Sequence, residues 1–157
     1  MYVLIPLAGS DFIDEKGNIK ALNTFNNEYQ LKSILLSRKW YEKIPFCNYI
    51  FILQDNKFSR DFCKEYIQSW FPGSGIVFIN KETKGAAISV SSGLSLIDNY
   101  DKPILIDLAD IYFKIDSFDS IFNSIELDNY AIAMCFKSQN PSYSYISLDK
   151  DNKFIEA

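Results

Sequence analysis

Four short segments hold the residues of this chain that could do chemistry. The first is Ile5-Pro6-Leu7-Ala8-Gly9-Ser10. Its small residues let backbone N–H groups come close to an anion, as phosphate-binding loops require, although the same composition also makes an ordinary tight strand exit. It is neither a Walker loop nor a G-x-G-x-x-G fingerprint. The second is Thr83-Lys84-Gly85-Ala86-Ala87, which opens a stretch with small side chains at Ser89, Ser91, Ser92 and Gly93. A small-sided helix sits close either to a sheet or to a flat ligand such as a base, and its N-terminus offers amides and the positive end of a dipole. The third is Ile104-Leu105-Ile106-Asp107-Leu108-Ala109-Asp110. Asp110 follows an apolar run and suits one ligand position of Mg²⁺, or else a turn. Asp107 lies within that run, so burial would oblige it to find a partner or a raised pKa. The fourth is Lys20, which is either a solvated loop lysine or a cation within reach of whatever binds at Gly9.

The elements that position these residues alternate between short apolar runs and amphipathic stretches. Strands are expected over Tyr2 to Leu7, Tyr49 to Leu53, Ile76 to Ile79 and Pro103 to Leu108, the last buried on both faces, with a short extension over Ile111 to Phe113 and a further strand over Tyr130 to Phe136. Helices are expected over Glu28 to Tyr41, capped by Asn26 or Asn27, and from a Ser59 cap along Phe62, Tyr66, Ile67, Trp70 and Phe71 to Pro72-Gly73. Further helices are expected over Gly85 to Ile97 and from Asp116 with Phe118, Ile121, Phe122 and Ile125 inward. Tyr143 to Leu148 and Lys153 to Glu156, joined by Asp149-Lys150-Asp151-Asn152, read as a β-hairpin. Strands alternating with helices predict a mainly parallel sheet covered by helices on both faces, a Rossmann-like three-layer α/β/α domain over 1–157. Such sheets bind ligands at the carboxyl ends of their strands, which directs attention to the loops after Leu7, Ile79 and Leu108.

Bulk properties narrow the chemistry. The chain has 157 residues, 48% of them hydrophobic, enough for one core. A net charge of -4 argues against a nucleic-acid partner, and no apolar run approaches the ~20 residues of a membrane span. There is no histidine, which removes Ser-His-Asp and Cys-His catalysis. The odd number of cysteines, at wide spacing, reads as buried reduced thiols in a cytoplasmic protein.

In order and spacing the segments resemble the sugar-phosphate nucleotidyltransferases, the hexose-1-phosphate nucleotidylyltransferases of capsule and lipopolysaccharide biosynthesis among them. Leu4 to Gly9 resembles the family's opening strand and glycine loop, and Lys20-Ala21-Leu22 its lysine segment. Thr83 to Ala87 resembles its T-x-G-x-A stretch, and Pro103 to Asp110 the strand that ends in the metal aspartate. Asn140-Pro141-Ser142-Tyr143-Ser144-Tyr145, followed by Leu148 to Asn152, resembles its N-P-x-x-S-Y and L-D-x-x-G hairpin.

The resemblance implies a GT-A-like nucleotidyltransferase fold, of which this chain is the front portion. It implies that Leu7, Ala8, Gly9 and Ser10 hold the nucleotide, that Thr83, Gly85 and Ala86 line the base pocket, and that Lys20 neutralises the phosphates. Asp110 would ligate Mg²⁺, and Tyr145 would stand near the acceptor. The partners would be an NTP and a sugar 1-phosphate, the products a nucleotide sugar and pyrophosphate, with homo-oligomerisation left open. Where the family's loop carries an arginine, this loop has Asp11, so another cation must meet the triphosphate, and the chain alone is expected to be weak or inactive. A nucleotide-sugar-binding or regulatory domain without turnover is the alternative. A GT-A glycosyltransferase ranks lower, because Asp107 and Asp110 are spaced D-x-x-D rather than D-x-D.

Overall fold

The computed structural model describes residues 1–80, 85–114, 132–141, 145–151 and 154–156. The chain clusters into two compact units, Met1–Ile125 and Glu126–Ala157.

The first unit is a mixed α/β body built on a four-stranded, wholly parallel sheet. Its strands are β1 (Tyr2–Pro6), β4 (Tyr49–Gln54), β5 (Gly75–Ile79) and β6 (Ile104–Ile106), in the order β5-β4-β1-β6. A two-stranded hairpin, β2 (Thr24–Phe25) with β3 (Glu28–Tyr29), stands apart from it. Alternation along the strands sorts side chains to the two faces. Val3, Ile5, Phe51 and Leu53 meet α1 (Gln30–Leu36) and the helical run of α2 (Lys57–Phe62), a π-helical turn Cys63–Ile67, and α3 (Gln68–Trp70). Tyr2, Leu4, Ile50 and Ile52 meet Val90 of α4 (Ala86–Gly93) and Ile97 just beyond it.

The small face of α4 has a definite use. A Cβ added to Gly93 would stand 3.0 Å from Ile52 Cδ1 and 3.2 Å from Leu4 Cδ2, so the helix lies directly on the sheet there.

Several expectations are corrected. Asn26 (φ 51) and Asn27 (φ 64) do not cap a helix. Both are left-handed and form the two-residue turn between β2 and β3, the geometry that tight hairpins demand. The helix that follows is therefore only Gln30–Leu36. The second helix is capped by Asn56, whose side chain accepts the Ser59 amide, and Ser59 is buried inside the first turn.

β6 is shorter than Pro103 to Leu108 and is not buried on both faces. As the edge strand among the described residues it leaves Ile104 and Ile106 40% and 52% exposed. Residues Ile111 to Phe113 form no strand. Ile132 to Phe136 are likewise without regular structure and exposed, because their alternation has no neighbouring strand to pair with among the described residues; Tyr130 lies outside these. Of the cysteines only Cys63 is buried, while Cys47 and Cys135 are exposed.

The helix expected from Asp116, with Phe118, Ile121, Phe122 and Ile125, lies outside the described residues. In the second unit the expected hairpin is present in shorter form, β7 (Ser147–Leu148) antiparallel to β8 (Phe154–Glu156). No helix among the described residues is long and apolar enough to cross a membrane.

Candidate functional site

The strand order creates one privileged place in the first unit. From β1 the chain moves outward to β4 and β5, then returns to pair β6 on the other side of β1. The connection leaving β1 runs to α1 on one face of the sheet and that leaving β5 runs to α4 on the other, and a crevice opens outside the carboxyl ends of the strands. A cleft of about 400 Å³ lies there, lined by Pro6 to Gly9 after β1, Leu108 to Asp110 after β6, and Gly85, Ala86 and Ser89 at the start of α4.

Each wall is held by identifiable bonds. The Leu7 amide donates to Ile52 O at 2.7 Å, which extends the β1–β4 ladder one residue into the loop. Gln54 Nε2 donates to Ala8 O at 3.1 Å. The loop then turns tightly, Phe12 N donating to Gly9 O at 3.1 Å. A Cβ on Gly9 would stand 2.7 Å from Asp11 Oδ1, so the exposed Asp11 carboxylate folds back over this backbone.

Lys20 is brought to the same cleft by a small closed loop. Ile13 bridges Ile19, and Asp14 accepts the amides of Lys16 and Asn18. These bonds, that of Asn18 first, hold the Asp14 carboxyl below the ordinary carboxylate range. Lys20 N donates to Phe12 O at 3.0 Å, and Lys20 Nζ lies 3.4 Å from Asp11 Oδ2. Lys20 and Asp11 both line the cleft.

At the third wall Gly85, with φ 118, turns the chain into α4. This conformation strains any residue with a side chain. The first amides of the eight-residue α4 have no intrahelical acceptor, which suits an anion or a polar ligand edge.

The fourth wall is the turn after β6. Asp107 is buried, and its partner is Arg38, as the apolar setting of that carboxylate required. Ala109 follows with φ 55, and Asp110 faces the cleft.

The structure thus brings Leu7, Ala8, Gly9, Lys20, Gly85, Ala86 and Asp110 to one cleft. Ser10 is exposed and is not among the residues that line it. Thr83 lies outside the described residues. Tyr145 belongs to the second unit, where its hydroxyl donates to Asn140 O at 2.6 Å.

Sequence reasoning missed Phe12, Asn23, Gln30 and Leu31, which also line the cleft. Asn23 and Gln30 flank the β2–β3 hairpin, and the Gln30 amide donates to Asn23 O at 2.7 Å. The Asn26-Asn27 pair was the signal that could have found them, since a tight turn there brings its two flanks together.

Among the described residues there is no group of three or more His, Cys, Asp or Glu that could hold a metal. Asp110 and Asp11 are the cleft carboxylates among the described residues, Asp11 beside Lys20, while Asp107 is committed to Arg38. That donor set fits a hard cation that takes one protein oxygen and completes its shell with phosphate and water, as Mg²⁺ does. Comparison with protein-family models, curated proteins and solved structures gave no match to this chain.

Proposed function

We propose that the cleft binds a nucleotide, and that the chain is the nucleotide-binding part of a sugar-phosphate nucleotidyltransferase with a Rossmann-like, three-layer, GT-A-like fold. The observation that carries this reading is the convergence of Gly9, Lys20, Gly85 and Asp110 on one cleft at the point where the strand order reverses. A glycine turn, a lysine, a helix start and a carboxylate are the groups needed to hold a polyphosphate with its cation. The amide side chains of Asn23 and Gln30 add donors and acceptors able to read a base edge.

In this reading the loop Leu7 to Gly9 holds ribose and phosphates, and Gly85 and Ala86 border the base. Lys20 offsets charge on the phosphates as a sugar 1-phosphate oxygen attacks the α-phosphorus and pyrophosphate leaves. Tyr145 serves the acceptor. Asp110 would hold Mg²⁺, which supplies charge neutralisation at the phosphates when bound. Such a reaction depends on positioning and electrostatics more than on covalent catalysis, which suits a chain with no histidine. A cytoplasmic setting, where NTPs and sugar phosphates are found, belongs to the same reading.

One observation favours a second reading, a domain that binds nucleotide sugars without turnover. Asp11 adds a negative charge to the wall where a triphosphate would lie. A single experiment separates the two. The protein is incubated with hexose 1-phosphates, α-labelled ATP, CTP, GTP and UTP, and MgCl₂, and labelled nucleotide sugar and pyrophosphate are followed, with calorimetric binding in parallel. Turnover supports the transferase, and binding alone supports the second reading. Absence of binding by any nucleotide or nucleotide sugar sinks both.

A further inference from the structure

Asp107 stands one residue past β6, its amide donating to Leu4 O at 3.0 Å. Both of its carboxylate oxygens are used. Arg38 Nε donates to Oδ2 at 2.8 Å, and Arg38 Nη2 donates to Oδ1 at 3.0 Å. The Ala109 amide donates to the same Oδ1 at 2.9 Å. Arg38 Nη2 also donates to the carbonyl of Ile111 at 3.0 Å. The guanidinium lies 3.9 Å from the ring centroid of Phe113, and the pair is almost wholly buried, with 1% and 3% side-chain exposure.

Asp110 lies between the two residues so tied, Ala109 and Ile111. The backbone before it is fixed in a left-handed turn that a residue with a Cβ disfavours, and the backbone after it is anchored to Arg38. A buried ion pair is a poor way to add stability, because apolar residues of similar size usually serve as well. What this pair adds is direction: hydrogen bonds that specify the main chain on both sides of one cleft carboxylate.

We infer that Arg38 is a positioning residue, which through Asp107 and the main chain of Ala109 and Ile111 sets the Asp110 carboxylate in the cleft for a phosphate-bound divalent cation. The inference rests on the nucleotide-binding reading for its ligand and on the geometry alone for its mechanics, so its test has two independent readouts.

The variant is the double substitution R38M/D107L, which removes both charges together and leaves neither buried alone. Amide hydrogen exchange by NMR is expected to speed up at least tenfold at Ala109, whose amide the Asp107 carboxylate accepts, with β1 and β4 unchanged. Using the triphosphate bound best by the wild type among ATP, CTP, GTP and UTP, the gain in affinity on replacing EDTA by MgCl₂ is expected to fall at least tenfold, while affinity in EDTA stays within twofold. R38K, which keeps the cation but not the fork that spans Asp107 and Ile111, is expected to move both readouts in the same direction by at least threefold; it decides the matter if the double variant does not fold. Wild-type exchange at Ala109, or an intact magnesium-dependent gain, overturns the inference. If the wild type binds no nucleotide, the reading of the cleft fails while the exchange rates still decide the role of Arg38.

Discussion

Lys20 and Asp11 face one another on the wall of the cleft, the ammonium nitrogen 3.4 Å from a carboxylate oxygen. Their side chains are 48% and 80% exposed, so the attraction is weak and easily exchanged. A phosphate bound there would take Lys20 from Asp11 and then meet Asp11 as a like charge. Asp11→Asn is therefore expected to tighten triphosphate binding by about threefold to tenfold at low salt, fading as salt rises. Calorimetry at two ionic strengths checks this; unchanged or weaker binding would show that Asp11 orients Lys20 instead.

Gly85 tests the third wall. With φ 118 and nothing within 4 Å of an added Cβ, the position has room but no permitted backbone for a side chain. Gly85→Ala is expected to cost on the order of 1–3 kcal/mol through strain and to displace the start of α4. Nucleotide affinity should drop by at least tenfold while the cluster of Tyr2 and Val90 remains packed, as seen from a native near-UV tyrosine signal. Wild-type affinity in this variant would place the ligand away from α4.

Gly93 tests the packing that holds α4 down. Leu4 and Ile52 leave no space for a side chain there. Gly93→Leu is expected to destabilise the fold by about 1–3 kcal/mol, read as a lower urea midpoint, because a packed layer resists overfilling.

Cys63 and Tyr49 set an alkaline limit. Burial pushes the Cys63 thiol up to about 12 and the Tyr49 hydroxyl upward as well. Below the unfolded-state values, near 9.0 and 10.0, both states hold their protons and the stability is fully present. Above them the unfolded chain releases protons that the folded chain keeps, so stability falls as pH rises, by about 1.4 kcal/mol per pH unit for each group at most. Denaturation midpoints between pH 8 and 11 should fall accordingly, and Cys63→Ala should flatten the decline. At pH 8 a thiol reagent should label Cys47 and Cys135 rapidly and Cys63 only on unfolding.

Much of the sheet was legible because its strands are short apolar runs set between turn residues, and the cleft residues were legible because strand exits bind ligands. The need of Asp107 for a partner could be read from its apolar setting, but its choice of Arg38 could not. The two are 69 positions apart, and Arg38 was expected inside a helix that in fact ends at Leu36. The error began at Asn26-Asn27, where two residues equally suited to capping and to tight turning were assigned to the cap. Exposure of Ile104 and Ile106 was hidden for a different reason: composition reports how apolar a strand is, not whether it sits at the edge of its sheet.

The position of β1 bears on how the protein is made. Of the four strands of the sheet the earliest in the chain is an interior one, and Val3 pairs with Tyr49 on one side and Leu105 on the other. The order of synthesis is thus not the order of assembly. Tyr2 to Pro6, an apolar segment with both edges open, has to wait for about a hundred further residues before its second neighbour exists. Until then the segment keeps the unpaired strand edges that make incompletely folded chains prone to aggregate.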